Sequence, residues 1–303
     1  MHKRGLDAQH ENTYFLLIYH NNSSLMKHLI SIIVTCTLLL CSRTAAGSLV
    51  PVSSDARIRS MGGVTASLIG YAPAMYTNPA TLAGSESMTA SLAYSDPLGK
   101  SAMTTVQGIL AVPRMPFDDQ ATAALAYDRF GDDLYRETTV LLGYATRVTQ
   151  WLAAGVSFGW MQREFSAADD DSAPGISAGL VASVSERLSI GAGMTAINTP
   201  EIGDNGETVP HVLTTGATVR LDDDMLLGGD IRKQQGRKAS WCFGGEAGVL
   251  PWLMLRAGVS GNPWTYSGGT GLQLGDVHLD AAMIRYPDLE KTGFAVSVQM
   301  VIR

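Results

Sequence analysis

The feature that most constrains this chain is a two-residue alternation whose second face is mainly Gly, Ser, Thr and Ala. From residue 87 onward, apolar residues recur at every other position over stretches of about ten, broken by Gly, Pro, Asp and Asn clusters. In the last stretch Phe294, Val296, Val298, Met300 and Ile302 share one face, and Ala295, Ser297, Gln299 and Arg303 the other; only Val301 breaks the pattern. The same split sets Leu152, Ala154, Val156, Phe158 and Trp160 against Ala153, Gly155, Ser157 and Gly159. Strand side chains point alternately to opposite faces, so each stretch has one greasy side and one side of small residues. A water-exposed sheet would instead set Lys, Glu and Thr opposite its buried face.

That pattern suits a transmembrane antiparallel β-barrel, whose apolar exterior meets lipid while its interior is polar or small. Charged residues make up 17% of the chain, below the roughly 25% of an ordinary soluble domain, which fits the same class. A net charge of −6 without a basic cluster argues against a nucleic-acid partner.

Fourteen strands are expected, starting near Ser87, Ala102, Ala121, Arg136, Trp151, Gly175, Leu188, Val209, Met225, Ala239, Trp252, Thr265, Val277 and Gly293. An even count is what a closed antiparallel bacterial barrel requires. Tight connections such as Thr149-Gln150, Leu250-Pro251 and Gly275-Asp276 alternate with longer polar ones at residues 128–135, 165–174 and 198–208. Short turns belong to the periplasmic end and longer loops to the outside. Aromatics gather near the expected strand ends, with Trp151 and Trp252 beside short turns and Tyr94, Tyr127, Trp160, Trp241, Tyr266 and Tyr286 nearer the long loops. They read as interfacial girdles.

Residues 1–46 read as an upstream extension and a secretory signal peptide: Met26-Lys27-His28, an apolar run over 29–40, and small residues ending at Ala46. Cleavage there would remove Cys36 and Cys41, leave Cys242 alone, and leave 18 Lys and Arg against 26 Asp and Glu. The exported form is therefore expected to be mildly acidic, without an internal disulfide. Residues 47–86 form a separate amino-terminal segment, and 87–303 the barrel.

Within that segment, Ala56-Arg57-Ile58-Arg59-Ser60-Met61-Gly62-Gly63-Val64-Thr65-Ala66 is followed by Ala74-Met75-Tyr76-Thr77-Asn78-Pro79-Ala80-Thr81-Leu82-Ala83. This pair of motifs resembles the amino-terminal signature of the FadL and PorV/PorQ superfamily, outer-membrane barrels of fourteen strands. The chain departs from the family pattern at Gly70-Tyr71, where an acidic pair is usual, and at the terminal Arg303, where many members end in an aromatic. The resemblance implies a bacterial outer-membrane location and a hatch at the amino terminus, with Gly62, Gly63, Asn78, Pro79 and Ala80 as its motif residues. Physically, Asn78 can cap a short helix with Pro79 in its first position and Gly84 as a stop. The element could plug the lumen or anchor at the rim.

Chemistry is sparse. Gly155-Val156-Ser157-Phe158-Gly159 matches the nucleophile-elbow spacing but lies inside an alternating strand, where that elbow cannot form. Asp169-Asp170-Asp171 lacks the spacing of a calcium loop. No enzyme, cofactor or metal is expected. Arg147, Arg220, Asp230, Arg232, Glu246, Arg256, His278 and Asp280 fall on the inward register, and their charges are expected to neutralise one another across an acidic, small-residue lumen.

Three functions compete. The resemblance implies either a FadL-like passive channel for small hydrophobic compounds or a PorV/PorQ-like scaffold of a type IX secretion system. A purely structural barrel is the third. The partners are accordingly outer-membrane lipid together with a small hydrophobic molecule or secretion-system proteins.

Overall fold

The computed structural model describes residues 52–99, 103–166, 170–203 and 206–303. The signal-peptide region, Cys36, Cys41 and the expected strand start at Ala102 lie outside the described residues.

Fourteen strands close into one antiparallel barrel: β1 (Met88–Asp96), β2 (Thr104–Met115), β3 (Asp118–Gly131), β4 (Tyr135–Arg147), β5 (Leu152–Phe165), β6 (Asp171–Ser183), β7 (Leu188–Thr195), β10 (Val212–Arg220), β11 (Met225–Gln234), β12 (Ser240–Leu250), β13 (Leu253–Gly261), β14 (Thr265–Leu274), β15 (Val277–Tyr286) and β16 (Lys291–Ile302). The two-residue strands β8 (Glu201–Ile202) and β9 (Glu207–Thr208) make a small hairpin in the β7–β10 connection. Strand β1 pairs with β2 on one side and β16 on the other, Met88 facing Ile302. The closure leaves no unpaired edge. The described starts fall within four residues of those expected from the alternation.

Alternation is obeyed around the wall. Leu92, Leu125, Leu142, Val156, Phe158, Ile176, Ile231, Phe243, Met283 and Val296 are exposed on the outside. Their strand neighbours Ala93, Ala124, Leu141, Ser157, Asp230 and Ala295 are buried within. Fully outward Leu142 is 59% exposed while adjacent Leu141 is 8% exposed, so the wall itself, and not residue type, decides burial.

Two expectations need correction. The polar stretches 128–135 and 165–174 are partly strand: β3 continues to Gly131, β4 starts at Tyr135, and β6 starts at Asp171. Polar residues there stay in the ladder because their neighbours supply the backbone partners, Asp128 facing Thr139 and Arg163 facing Asp171. Tyr286 is not part of an outer girdle. It shares the inward register of Ala282 and Ile284 and accepts a hydrogen bond from Arg59 Nη2 at 2.8 Å. The outer aromatic cluster at that end is instead Trp241, Trp264 and Tyr266, with Trp264 edge-on to Trp241 at 5.3 Å.

Candidate functional site

The lumen is occupied by the segment preceding β1. Helix α1 (Ala56–Ser60) is capped by Asp55, whose Oδ1 accepts from Ile58 N at 3.1 Å. Two 3-10 turns follow, Ala72–Tyr76 and Pro79–Leu82. Asn78 Oδ1 accepts from Ala80 N at 3.0 Å, Pro79 takes the first turn position, and Gly84 lies just beyond the end at φ +84. From Ala56 to Ala83 nearly every hydrophobic side chain of the segment is buried. It is a plug.

Its first leg is tied by polar side chains. Arg57 pairs with Glu246 of β12, which also accepts from Arg256 Nε of β13 at 2.9 Å; Arg256 Nη1 reaches Asp280 of β15 at 2.6 Å. Two guanidiniums and two carboxylates thus form one neutral buried group, as the cost of isolated buried charge demands. The Arg57 guanidinium also lies 4.4 Å over the Tyr71 ring, and Tyr71 OH donates to Asp55 at 2.8 Å. Ser297 Oγ accepts from Ala56 N, and Ser267 Oγ accepts from Gly62 N while donating to Ser60 O. Asp230 Oδ2 accepts from the amides of Thr65 and Ala66 at 2.7 and 2.9 Å.

The second leg is tied by shape. A Cβ at Gly155 would lie 2.5 Å from Ala80 N, and one at Gly143 2.7 Å from the Met75 methyl. Side chains at Gly179 or Gly193 would overlap Asn78. Across this missing bulk, Asn78 Nδ2 donates to Ala66 O at 2.6 Å and to Leu180 O at 3.1 Å. Met75, Tyr76, Leu82 and Ala83 pack on Ile109, Ala124, Leu141 and Ala145. The small inward face is therefore the seat of the plug.

Cavities lie at both ends. Toward the long-loop end, two cavities of about 200 and 350 Å3 share Val52, Arg232, Ser240 and Asn262. Their charged lining is Arg59, Arg232, Arg237 and Lys238 against Asp230. At the short-turn end, a cup of about 570 Å3 is floored by residues 67–71 of the plug and lined by Arg147, Arg187 and Arg220. The expected acidic, self-neutralising lumen is thus only half right: Asp230, Glu246 and Asp280 are spent on the plug and its clamp, and the open spaces are positive. His278 shares the inward register of Asp280 near the short-turn end, opposite Gln273 and Gln299.

Of the motif residues, Gly62 lies against β13, where a Cβ would meet Val259 backbone at 2.9 Å, whereas Gly63 (φ +101) faces open space. Sequence reasoning did not single out Asp55, Arg57, Tyr71 or Ser267 as plug contacts. Asp55 alone left a local signal, a cap position before a short helical run. Ser157 is buried in mid-β5, so the elbow spacing there is a strand. Asp171 lies 3.6 Å from Arg163; Asp169 is outside the described residues.

A closed fourteen-stranded antiparallel barrel filled by its own amino-terminal segment defines the class of fold. Solved structures are similar to it in fold. The toluene transporter TbuX of Ralstonia pickettii superposes with a TM-score of 0.62 at 14% identity, covering 82% of this chain and 98% of that one. A FadL homologue of Pseudomonas aeruginosa gives 0.61 at 14%, covering 85% and 100%. The monoaromatic hydrocarbon channel CymD gives 0.62 at 13%, covering 85% and 99%. At these identities the likeness is one of fold. No protein-family model and no curated protein matches the chain.

Proposed function

We propose that this chain is a bacterial outer-membrane β-barrel, a passive channel for small hydrophobic compounds whose amino-terminal segment is the hatch. The observation that carries the reading is the pairing of an apolar, exposed outer wall with a lumen filled by residues 52–84 and hollow at both ends. An apolar belt without water-facing charge is stable in hydrocarbon and a liability in water. The likeness in fold to TbuX and CymD, described as a toluene transporter and a monoaromatic hydrocarbon channel, supports the substrate class. In this reading short turns face the periplasm. Gly62, Asn78, Pro79 and Ala80 hold the hatch in its seat, and Gly63 supplies the turn after α1.

The test is uptake of labelled toluene into proteoliposomes, comparing the mature chain with one lacking residues 54–84. Saturable uptake by the intact chain, changed by the deletion, is expected. No uptake by either would contradict the channel. A lumen packed this closely also suits a barrel that works from its surface, as PorV/PorQ-type scaffolds do. Absent uptake together with secreted cargo co-purified from native membranes would support that reading.

A further inference from the structure

We propose that the short-turn cup is a binding site for a phosphate-class oxyanion, held by the Arg147, Arg187 and Arg220 guanidiniums. The three come from the ends of β4 and β10 and from the β6–β7 turn, and they line one cavity of about 570 Å3. None of the three is ion-paired among the described residues. Arg187 Nη1 donates to Leu221 O at 3.2 Å, which fixes its guanidinium at the rim and leaves its other donors free. The Arg147 guanidinium rests against Gly84, where a Cβ would come within 2.9 Å of Nη2.

The charge balance selects the ligand. The fourth arginine of the cup, Arg57, belongs to the neutral group with Glu246, Arg256 and Asp280, so it adds no net charge. The remaining lining sets three guanidiniums against Glu186, an excess of two positive charges. Asp222, Asp223 and Asp224 of the neighbouring turn do not line it. A phosphate dianion or phosphomonoester matches that excess, and a single carboxylate matches half of it. Guanidinium forks suit phosphate oxygens, and the hydroxyls of Ser183 and Ser189 add donors to the wall. The volume accommodates a phosphate with a substituent, within the few hundred Å3 usual for small-molecule sites. The cup opens to solvent, so binding should weaken as ionic strength rises. A free anion and a lipid head group both carry this chemistry.

The test is titration calorimetry of the folded mature chain in detergent with inorganic phosphate and glycerol 3-phosphate, beside native mass spectrometry after reconstitution with phosphatidylglycerol. Saturable phosphate binding is expected, weakened about a hundredfold by R147Q combined with R220Q, at about tenfold per guanidinium. R147K with R220K should fall between. Phosphatidylglycerol retained by the parent chain, displaced by phosphate and lost in the glutamine variant would assign a head group. Phosphate binding without retained lipid would assign a free anion. Binding of neither, or binding unchanged in a glutamine variant whose unheated gel mobility shows an intact barrel, would overturn the site. Toluene uptake is read separately, so the channel reading can stand or fall without it.

Discussion

The two legs of the plug share a seat of wall glycines and differ in the charged clamp that the first leg adds. Residues 55–67 lie on β10–β16, which send Asp230, Glu246, Arg256, Ser267, Asp280 and Ser297 inward to grip a short polar helix and its turn. Residues 72–84 lie on β2–β7, where glycines and alanines withdraw from the lumen and a proline-led turn fills the room they leave. Steric fit seats both legs, since Gly244, Gly258 and Gly269 clear the first as Gly155 and Gly179 clear the second, and the first adds a charged clamp. The energetics differ accordingly: a buried ion pair roughly breaks even against desolvation until one partner is removed, whereas close packing has no tolerance for added volume.

The sharpest break of that comparison is to fill the seat of the second leg. In Gly179→Leu the new side chain would occupy the space of the Asn78 amide, so the plug should not seat. Limited proteolysis is expected to cut residues 72–84 while the barrel keeps its heat-modifiable gel mobility. Next in size, Glu246→Ala leaves Arg57 and Arg256 facing each other without their shared carboxylate, a loss of about 3–5 kcal/mol for a broken buried pair. Hydrogen exchange should quicken over residues 55–63 and much less over 72–84. Equal quickening of both legs would erase the distinction between them.

Asn78→Ala removes the donors to Ala66 O and Leu180 O and the cap on Ala80 N, for about 2–3 kcal/mol. Here the second leg should exchange faster and residues 55–63 of the first stay protected. The smallest effect concerns Asp55. Burial pushes its carboxyl above the usual value of 3.8, with the hydrogen bonds from Tyr71 and Ile58 partly offsetting this. An acid whose native pKa is raised binds its proton longer in the folded state, so its contribution is fully present below 3.8 and declines as pH rises through the raised value. Seating of the first leg should therefore tighten on mild acidification, and Asp55→Asn, which keeps an acceptor for Ile58 N, should flatten that slope. A slope unchanged in Asp55→Asn would assign it to another group.

The barrel was legible because its signals are local. Alternation, turn clusters and strand parity are each read within a dozen residues, and they suffice for fourteen strands and for which face is greasy. The Asn78-Pro79 cap is local in the same way. The site was legible only in part, because a plug inside a barrel makes its contacts over long separations: Arg57 to Glu246 spans 189 residues and Ala56 to Ser297 spans 241. Inward parity picked out Asp230, Glu246, Arg256 and Asp280 but could not say which would meet the plug, which one another, and which open space. The positive cavities follow from that pairing and from no property of the composition, which is acidic overall. Tyr286 shows the same limit, since an aromatic at a strand end suits a girdle or a lumen contact equally until parity is fixed.

The central claim is that residues 52–84 occlude a barrel whose outside is at home in lipid. Single-channel recording in planar bilayers tests it most directly, comparing residues 47–303 with the same chain lacking residues 54–84. The account predicts little or no steady conductance from the intact chain and large, stable openings from the deletion. Equal conductance from both, or no insertion of either into the bilayer, would contradict it.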